Sequence, residues 1–327
     1  MLVVGENGAG KTNLLEALHV GTQGFSPRSR ADRDLIRFGA AAGSIALQGQ
    51  RGETRMELRV ALSTGEPKRA TVNGARLQSA EQLRRTVHAL VFTPDRLAVV
   101  KGGPAARRAY FDRVVGRLLP GRSGLPADYA AAVAQRNAAL RRVQLGSARD
   151  LVFPWTQQVA ALGSDLVASR LHALAQLQPG FAERLGELGL PDGRLEYAGE
   201  PPTVEQLEAR LDRDVDRAAT GLGPHLHDVT IATGPRELRG FGSQGEQRLA
   251  VLALLLAEAE LLAERGDTPL LLLDDVLSEL DPGRRRTLAA RIGAMGQTMI
   301  TATSAAALPV EPAQLVEVTP GQAVWSR

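Results

Sequence analysis

Gly5-Glu6-Asn7-Gly8-Ala9-Gly10-Lys11-Thr12 fits G-x-x-x-x-G-K-[ST] at every fixed position, with the apolar run Leu2-Val3-Val4 before it and a helix-like run, NLLEALHV at 13–20, after it. A strand, a glycine-rich turn and a helix in that order form a phosphate-binding loop. Gly5, Gly8 and Gly10 let the backbone turn tightly enough for successive N–H groups to face one anion, and the helix adds its positive end. Lys11 then meets the β- and γ-phosphates as a point charge, and Thr12 supplies an oxygen to Mg²⁺. Only three of the 39 basic residues are lysines, Lys11, Lys68 and Lys101, so a chain built almost wholly on arginine keeps a compact ammonium at this position.

The second half of such a site lies near the other end. Leu270-Leu271-Leu272-Leu273-Asp274-Asp275 reads as a short buried strand ending in two acids. That placement sets a carboxylate beside the phosphates at the strand's carboxyl end. Asp274 is the expected Mg²⁺ ligand and Asp275 the residue expected to polarise the attacking water. Ser243-Gln244-Gly245 opens a long apolar helix, where the serine can present its hydroxyl to an anion or serve only as a helix cap. With Asp281 following the acidic strand, the order is that of an ABC-type ATPase, in which the signature serine of one subunit completes the nucleotide site of another. ATP and Mg²⁺ are the expected ligands.

Composition sets the outer limits. The 327 residues suffice for one large domain or two smaller ones, and 44% hydrophobic content is ordinary for a globular chain. A net charge of +3 places any nucleic-acid surface in local clusters, not in the overall balance. The absence of cysteine excludes disulfides and zinc–thiolate sites. The most apolar stretch, 249–262, is interrupted by Glu258 and Glu260, so no membrane span and a cytoplasmic location are expected. Periodicity predicts an antiparallel patch over 44–48, 55–62 and 69–72 with Asn73-Gly74 as a turn, a helical region over about 103–219, and strand–helix alternation to the end. The expected fold is therefore α/β: an ATP-binding lobe in two parts, 1–100 and 221–327, split by a helical lobe at 101–220.

Taken together, GENGAGKTNLLEALHV, SPRSRADRDLIRFG at 26–39, VFTPDRLAVVKGGPAARRAYFD at 91–112, YAAAVAQRNAALR at 129–141, Trp155 with Arg170, Gly223-Pro224-His225, FGSQGEQR and LLLLDDVLSELD resemble the RecF family of bacterial recombination mediators. Arg107, Arg108 and Asp112, and the QRNAAL run at 135–140, carry the most weight, because ABC ATPases in general lack them. The resemblance implies an ABC-ATPase (SMC-like) head without a long coiled coil and with weak ATPase activity. It also implies an ATP-dependent homodimer on double-stranded DNA or at single-strand/double-strand junctions, and cooperation with RecR, RecO and RecA at single-strand gaps.

The chain departs from the family pattern in several places. Family members carry a hairpin with an Asn-Tyr/Phe-Arg motif ahead of the P-loop strand, whereas this sequence opens at Met1. Gly-Pro-His-Arg-Asp-Asp is replaced by Gly223-Pro224-His225-Leu226-His227-Asp228. Thr301-Ala302-Thr303 stands where transporter ATPases have a switch histidine, and Thr93-Pro94-Asp95 where they have a glutamine; both point to slow hydrolysis. A transporter subunit would carry those two residues and a short helical insertion. A non-catalytic scaffold would not need Lys11, Thr12, Ser243, Asp274 and Asp275 together. For DNA, the loop with Arg28, Arg30 and Arg33 is the leading candidate, and the doublets Arg84-Arg85, Arg107-Arg108 and Arg141-Arg142 are further candidates to track phosphates.

Overall fold

The strand Leu2–Val4 runs inside a six-stranded sheet whose order is Gln322–Trp325, Leu315–Thr319, Leu2–Val4, Thr298–Ala302, Leu270–Leu273, Ala89–Phe92. Every neighbouring pair is parallel except the antiparallel pair formed by the last hairpin strand. Parallel strands are covered on both faces, which is why LVV, ALVF and LLLL are continuous apolar runs with no polar alternation. The computed structural model describes residues 1–29, 31–278 and 280–325, with the backbone alone of Arg51.

Packing separates two units, Met1–Leu97 with Leu255–Arg327, and Ala98–Leu254. The first unit holds the parallel sheet, the helix Lys11–Gln23 and a four-stranded antiparallel sheet, Ala42–Arg51, Thr54–Ser63, Glu66–Val72 and Ala75–Arg76. Leu58, Val60 and Leu62 alternate inward along the second of these strands and pack with Val20, Ile36 and Leu83. The period-two reading of this region holds, and Asn73 turns the chain at φ 49°.

The second unit is built on the helices Pro104–Leu118, Leu125–Gln144 and Phe153–Glu187. It also contains a strand within the region predicted to be helical. Gly193–Ala198 pairs antiparallel with Asp228–Thr233, bringing Leu195 opposite Ile231. Leu195 and Tyr197 alternate with Arg194 and Glu196, a period of two that is too short to stand out among flanking helices. Residues 221–254, grouped by periodicity with the carboxy-terminal alternation, fall in this unit, where 228–233 are tied in by that pairing.

The motifs that set the chain apart from ABC ATPases in general are internal fastenings of the helical unit. Arg136 is wholly buried; it donates to Asp214 at 2.7 Å, Thr156 at 3.1 Å and Thr220 at 3.1 Å. Asn137 accepts from the Thr220 N–H and hydroxyl, both at 2.7 Å. Arg170 grips Asp112 through two bonds of 2.7 and 3.0 Å. Arg107 is 1% exposed and grips Asp228 at 2.7 and 2.6 Å. The suggestion that Arg107 tracks DNA phosphates is therefore corrected: its guanidinium is buried and paired, and turning it toward DNA would strip the half-buried Asp228 carboxylate of its partner. Among the described residues, no helix is long and apolar enough to cross a membrane.

Candidate nucleotide site

The glycine-rich loop leaves the carboxyl end of Leu2–Val4 and enters the helix Lys11–Gln23 through Gly10 at φ 106°, with Gly8 at φ 83°. Both angles lie where an L side chain is strained, which explains glycine at these two positions. Gly5 is fixed by a different constraint, since a Cβ there would stand 2.3 Å from the Val318 carbonyl oxygen. Ala9 turns inward and joins the core with Val3, Leu15 and Val318, while Glu6, Asn7 and Gly8 remain at or near the surface. The helix has no side-chain cap and no acid in its first turn. Its first N–H groups and positive pole are therefore open to an anion.

Lys11 Nζ donates to Gly5 O at 2.7 Å and Glu6 O at 2.9 Å. An ammonium has three donors, so one remains for a phosphate oxygen. Thr12 Oγ1 donates to Asp274 Oδ1 at 3.1 Å, across 262 residues of sequence. The two distant motifs thus meet at the carboxyl ends of strands in one sheet, the usual ligand position of an open α/β fold. Thr301 Oγ1 donates to the same Asp274 oxygen at 2.7 Å and accepts the Asp275 N–H at 2.9 Å. Asp275 sits at φ 49°, with Ser278 Oγ donating to its Oδ2 at 3.0 Å.

Thr301 has a role that sequence reading missed. In sequence it stands only where transporter ATPases have a switch histidine, yet in the structure it is the link between both acids. A threonine at the carboxyl end of the buried strand Thr298–Ala302 was the available signal, and it is weak by itself. Thr93 is similar: it follows the strand Ala89–Phe92, whose Phe92 O accepts the Asp274 N–H at 2.9 Å. Its hydroxyl is buried without a hydrogen-bond partner among the described residues. The donor set fits Mg²⁺, which takes hard oxygens and binds through one or two carboxylates together with substrate phosphates. Thr12 and Asp274 are such oxygens; Asp274 Oδ1 takes both hydroxyl bonds, so Oδ2 remains for a cation.

The other predicted residues are distributed as follows. Ser243 is exposed in the second unit and caps the helix Gln244–Glu264. Its Oγ accepts the Glu246 N–H at 3.2 Å, and Glu246 Oε2 accepts the Ser243 N–H at 2.8 Å. This is a reciprocal capping box. The serine hydroxyl serves there as an acceptor and keeps its proton for another acceptor. Gln244 and Gly245 are exposed beside it, and the Phe241 ring just ahead is 73% exposed. Asp281 caps Pro282–Gly293 by accepting the Arg284 N–H at 2.9 Å, and that bond holds its carboxyl below the ordinary carboxylate range.

Arg28 lies 3.5 Å from Glu16, Arg33 lies 3.7 Å from Asp34, and both keep substantial exposure; Arg30 is outside the described residues. In the altered Gly-Pro-His segment, His225 Nε2 donates to Thr220 O at 3.0 Å and Nδ1 accepts the Tyr129 hydroxyl at 2.7 Å. Burial holds this imidazole below its usual pKa and pushes the tyrosine up. His227 takes a polar role of its own, its Nδ1 bonding the Tyr197 hydroxyl at 2.8 Å, while Leu226 faces outward. An apolar cavity of about 480 Å³ lies at the opposite, amino-terminal end of the sheet, beside Met1, Leu270 and Val316, and contributes nothing to the phosphate site.

Comparison with known proteins places this geometry. Residues 1–325 match the family model described as the RecF/RecN/SMC N-terminal domain. The chain is 37% identical to the DNA replication and repair protein RecF of Anaeromyxobacter dehalogenans over 92% of its own length and 86% of that protein's. It is 34% identical to RecF of Heliobacterium modesticaldum over the same shares. A solved structure of the recombination mediator protein RecF with ATP, from the RecFOR pathway, superposes with a TM-score of 0.89 at 26% identity, covering 100% of this chain and 91% of that one. The Smc head domain of Pyrococcus furiosus shares the fold at a TM-score of 0.56 and 15% identity, over 99% of this chain and 89% of that one.

Proposed function

This chain belongs to the RecF family, with the ABC-ATPase head fold, and from that premise we propose that it is an ATP-dependent DNA-binding protein of recombinational repair. It binds ATP and Mg²⁺, forms a homodimer on duplex DNA or at single-strand/double-strand junctions, and works with RecR and RecO in the cytoplasm to load RecA at gaps. The observation that carries the reading is the meeting of Lys11, Thr12, Asp274, Asp275 and Thr301 at one end of one parallel sheet.

In this reading the backbone of 5–12 and Lys11 hold the β- and γ-phosphates. Thr12 and Asp274 hold Mg²⁺, which when bound neutralises charge developing on the phosphoryl oxygens. Thr301 keeps Asp274 oriented for that task. Asp275, held by Ser278, accepts hydrogen bonding from the attacking water and takes its proton. Replacing Asp275 by Asn removes the acceptor charge while leaving the Thr12–Asp274 pair, so ATP binding persists and turnover falls by about 10²-fold. Unchanged steady-state turnover would assign the water to another residue.

DNA binding is tested by salt. Each arginine–phosphate contact adds about 0.9 to the negative slope of log K against log[salt]. Arg28→Ala with Arg33→Ala should flatten the slope measured on a duplex with ATP and Mg²⁺ by nearly two such increments. An unaltered slope excludes these two residues from the interface, and a wild type that binds no DNA with ATP present overturns the DNA-binding function.

A further inference from the structure

Phe38 is exposed to 105% of its reference surface, the largest value among the exposed large hydrophobic side chains of the described residues. The stem that carries it is firmly held. Leu35 and Ile36 pack with Val20, Leu58, Val60 and Leu83. Lys68 clamps Asp32 with bonds of 2.7 and 2.9 Å, and Ser29 donates to Asp34 at 2.6 Å. The chain then reverses, the Ala40 N–H donating to Arg37 O at 2.9 Å. Gly39 lies at φ 82° and Phe38 outside the left-handed region. A hydrogen-bonded reversal with positive φ at its second corner has the pattern of a type II turn, with Phe38 at the first corner and the glycine that pattern favours at the second. A large apolar ring is thus fixed in water, with its hydrophobic cost unrelieved inside the chain.

The charge around the ring selects what relieves it. Residues 26–40 hold Arg28, Arg30, Arg33 and Arg37 against two aspartates, Asp32 and Asp34. Lys68 offsets Asp32, whereas Asp34 keeps its charge beside the Ser29 hydroxyl and 3.7 Å from Arg33, and Arg28 lies 3.5 Å from Glu16, so Arg37 is the cation nearest the ring in sequence and Arg33 shares its charge with Asp34. Arg33 and Arg37 are exposed beside the turn. Cations around a lone flat ring fit a polyanion that also offers a flat apolar face. A nucleic-acid duplex offers such a face where its stack ends, and aromatic side chains stack on bases irrespective of sequence.

We propose that Phe38 stacks on the terminal base pair at a single-strand/double-strand junction while Arg33 and Arg37 hold the adjoining phosphates, so that this turn selects a duplex end over continuous duplex. The inference rests on the DNA-binding function proposed above and adds the residue that senses the end.

The test compares two DNAs of equal phosphate number in the presence of ATP and Mg²⁺. One is a duplex closed by a loop at each end, and the other carries a single-stranded extension with 2-aminopurine in its junctional base pair. Wild type should bind the junction about tenfold more tightly than the closed duplex and change the 2-aminopurine emission. Phe38→Ala should lose that preference and the emission change while keeping ATP binding and closed-duplex affinity. Phe38→Trp should restore both. A junction preference unaltered in Phe38→Ala overturns the proposal. So does an equal loss on both DNAs, which would make the ring a wedge within the helix. A Phe38→Ala protein altered only in self-association or in binding RecR would reassign the ring to a protein contact. Failure of the wild type to bind either DNA overturns the underlying function instead, which separates the two failures.

Discussion

Lys11→Ala should weaken ATP binding by about 10–10²-fold, because a hydrogen bond to a charged group contributes about 1.5–3 kcal/mol and the ammonium keeps one donor for a phosphate oxygen. The loop geometry should survive. Gly8 and Gly10 set the turn through their own backbone angles, Ala9 anchors it in the core, and Gly5 packs against Val318. What disappears is the cation that now rests on the Gly5 and Glu6 carbonyls. Isothermal titration with ATP and Mg²⁺ measures the loss, and thermal unfolding without nucleotide checks that the fold is retained. Equal affinity in wild type and variant would remove Lys11 from the phosphate site and with it the assignment of the loop.

Ser243 is expected to act between copies of the chain. In a two-fold dimer of the ABC type, the Ser243 hydroxyl of one copy donates to the γ-phosphate held by Lys11 of the other, so ATP draws two copies together and ADP does not. The exposed Phe241 next to it is apolar surface that such a contact covers. Ser243→Arg should abolish the ATP-dependent dimer and spare ATP binding. That change also removes the cap of Gln244–Glu264, at a cost of about 1 kcal/mol. Ser243→Asp separates the two effects: aspartate caps a helix as well as serine does, yet its charge opposes the γ-phosphate. Both variants should sediment as monomers with ATP in an Asp275→Asn background in which the parent dimerises. A parent that remains monomeric at every concentration, or a Ser243→Asp protein that dimerises normally, would falsify the shared-nucleotide arrangement.

Much of the candidate site was legible because its chemistry is local. The P-loop needs glycines at positive φ, a lysine and a hydroxyl within eight residues, and those needs are written in consecutive letters. The acidic strand end is also local, since a run of four leucines followed by two aspartates has few uses besides a buried parallel strand with carboxylates at its tip. Membership in the RecF family was likewise visible in motif order along the chain.

The surroundings of Thr301, Arg107, Arg136 and Phe38 were decided only by tertiary structure. Thr301 links Asp274 to Asp275 through space, across 27 and 26 residues respectively, and one threonine in an apolar strand carries no local signature. The arginines show the same limit from the other side. In sequence a doublet such as Arg107-Arg108 looks like a solvated, DNA-facing patch, and only the arrival of Asp228 from 121 residues away turns Arg107 into a buried fastening. Phe38 reverses that case, since apolar letters predict burial and the turn at 37–40 holds the ring in water. Backbone requirements and strand periodicity act over a few residues, so sequence order alone determines them. Whether a charge or a ring is buried depends on which distant groups the fold brings within hydrogen-bond or van der Waals reach, and that is a property of the assembled structure.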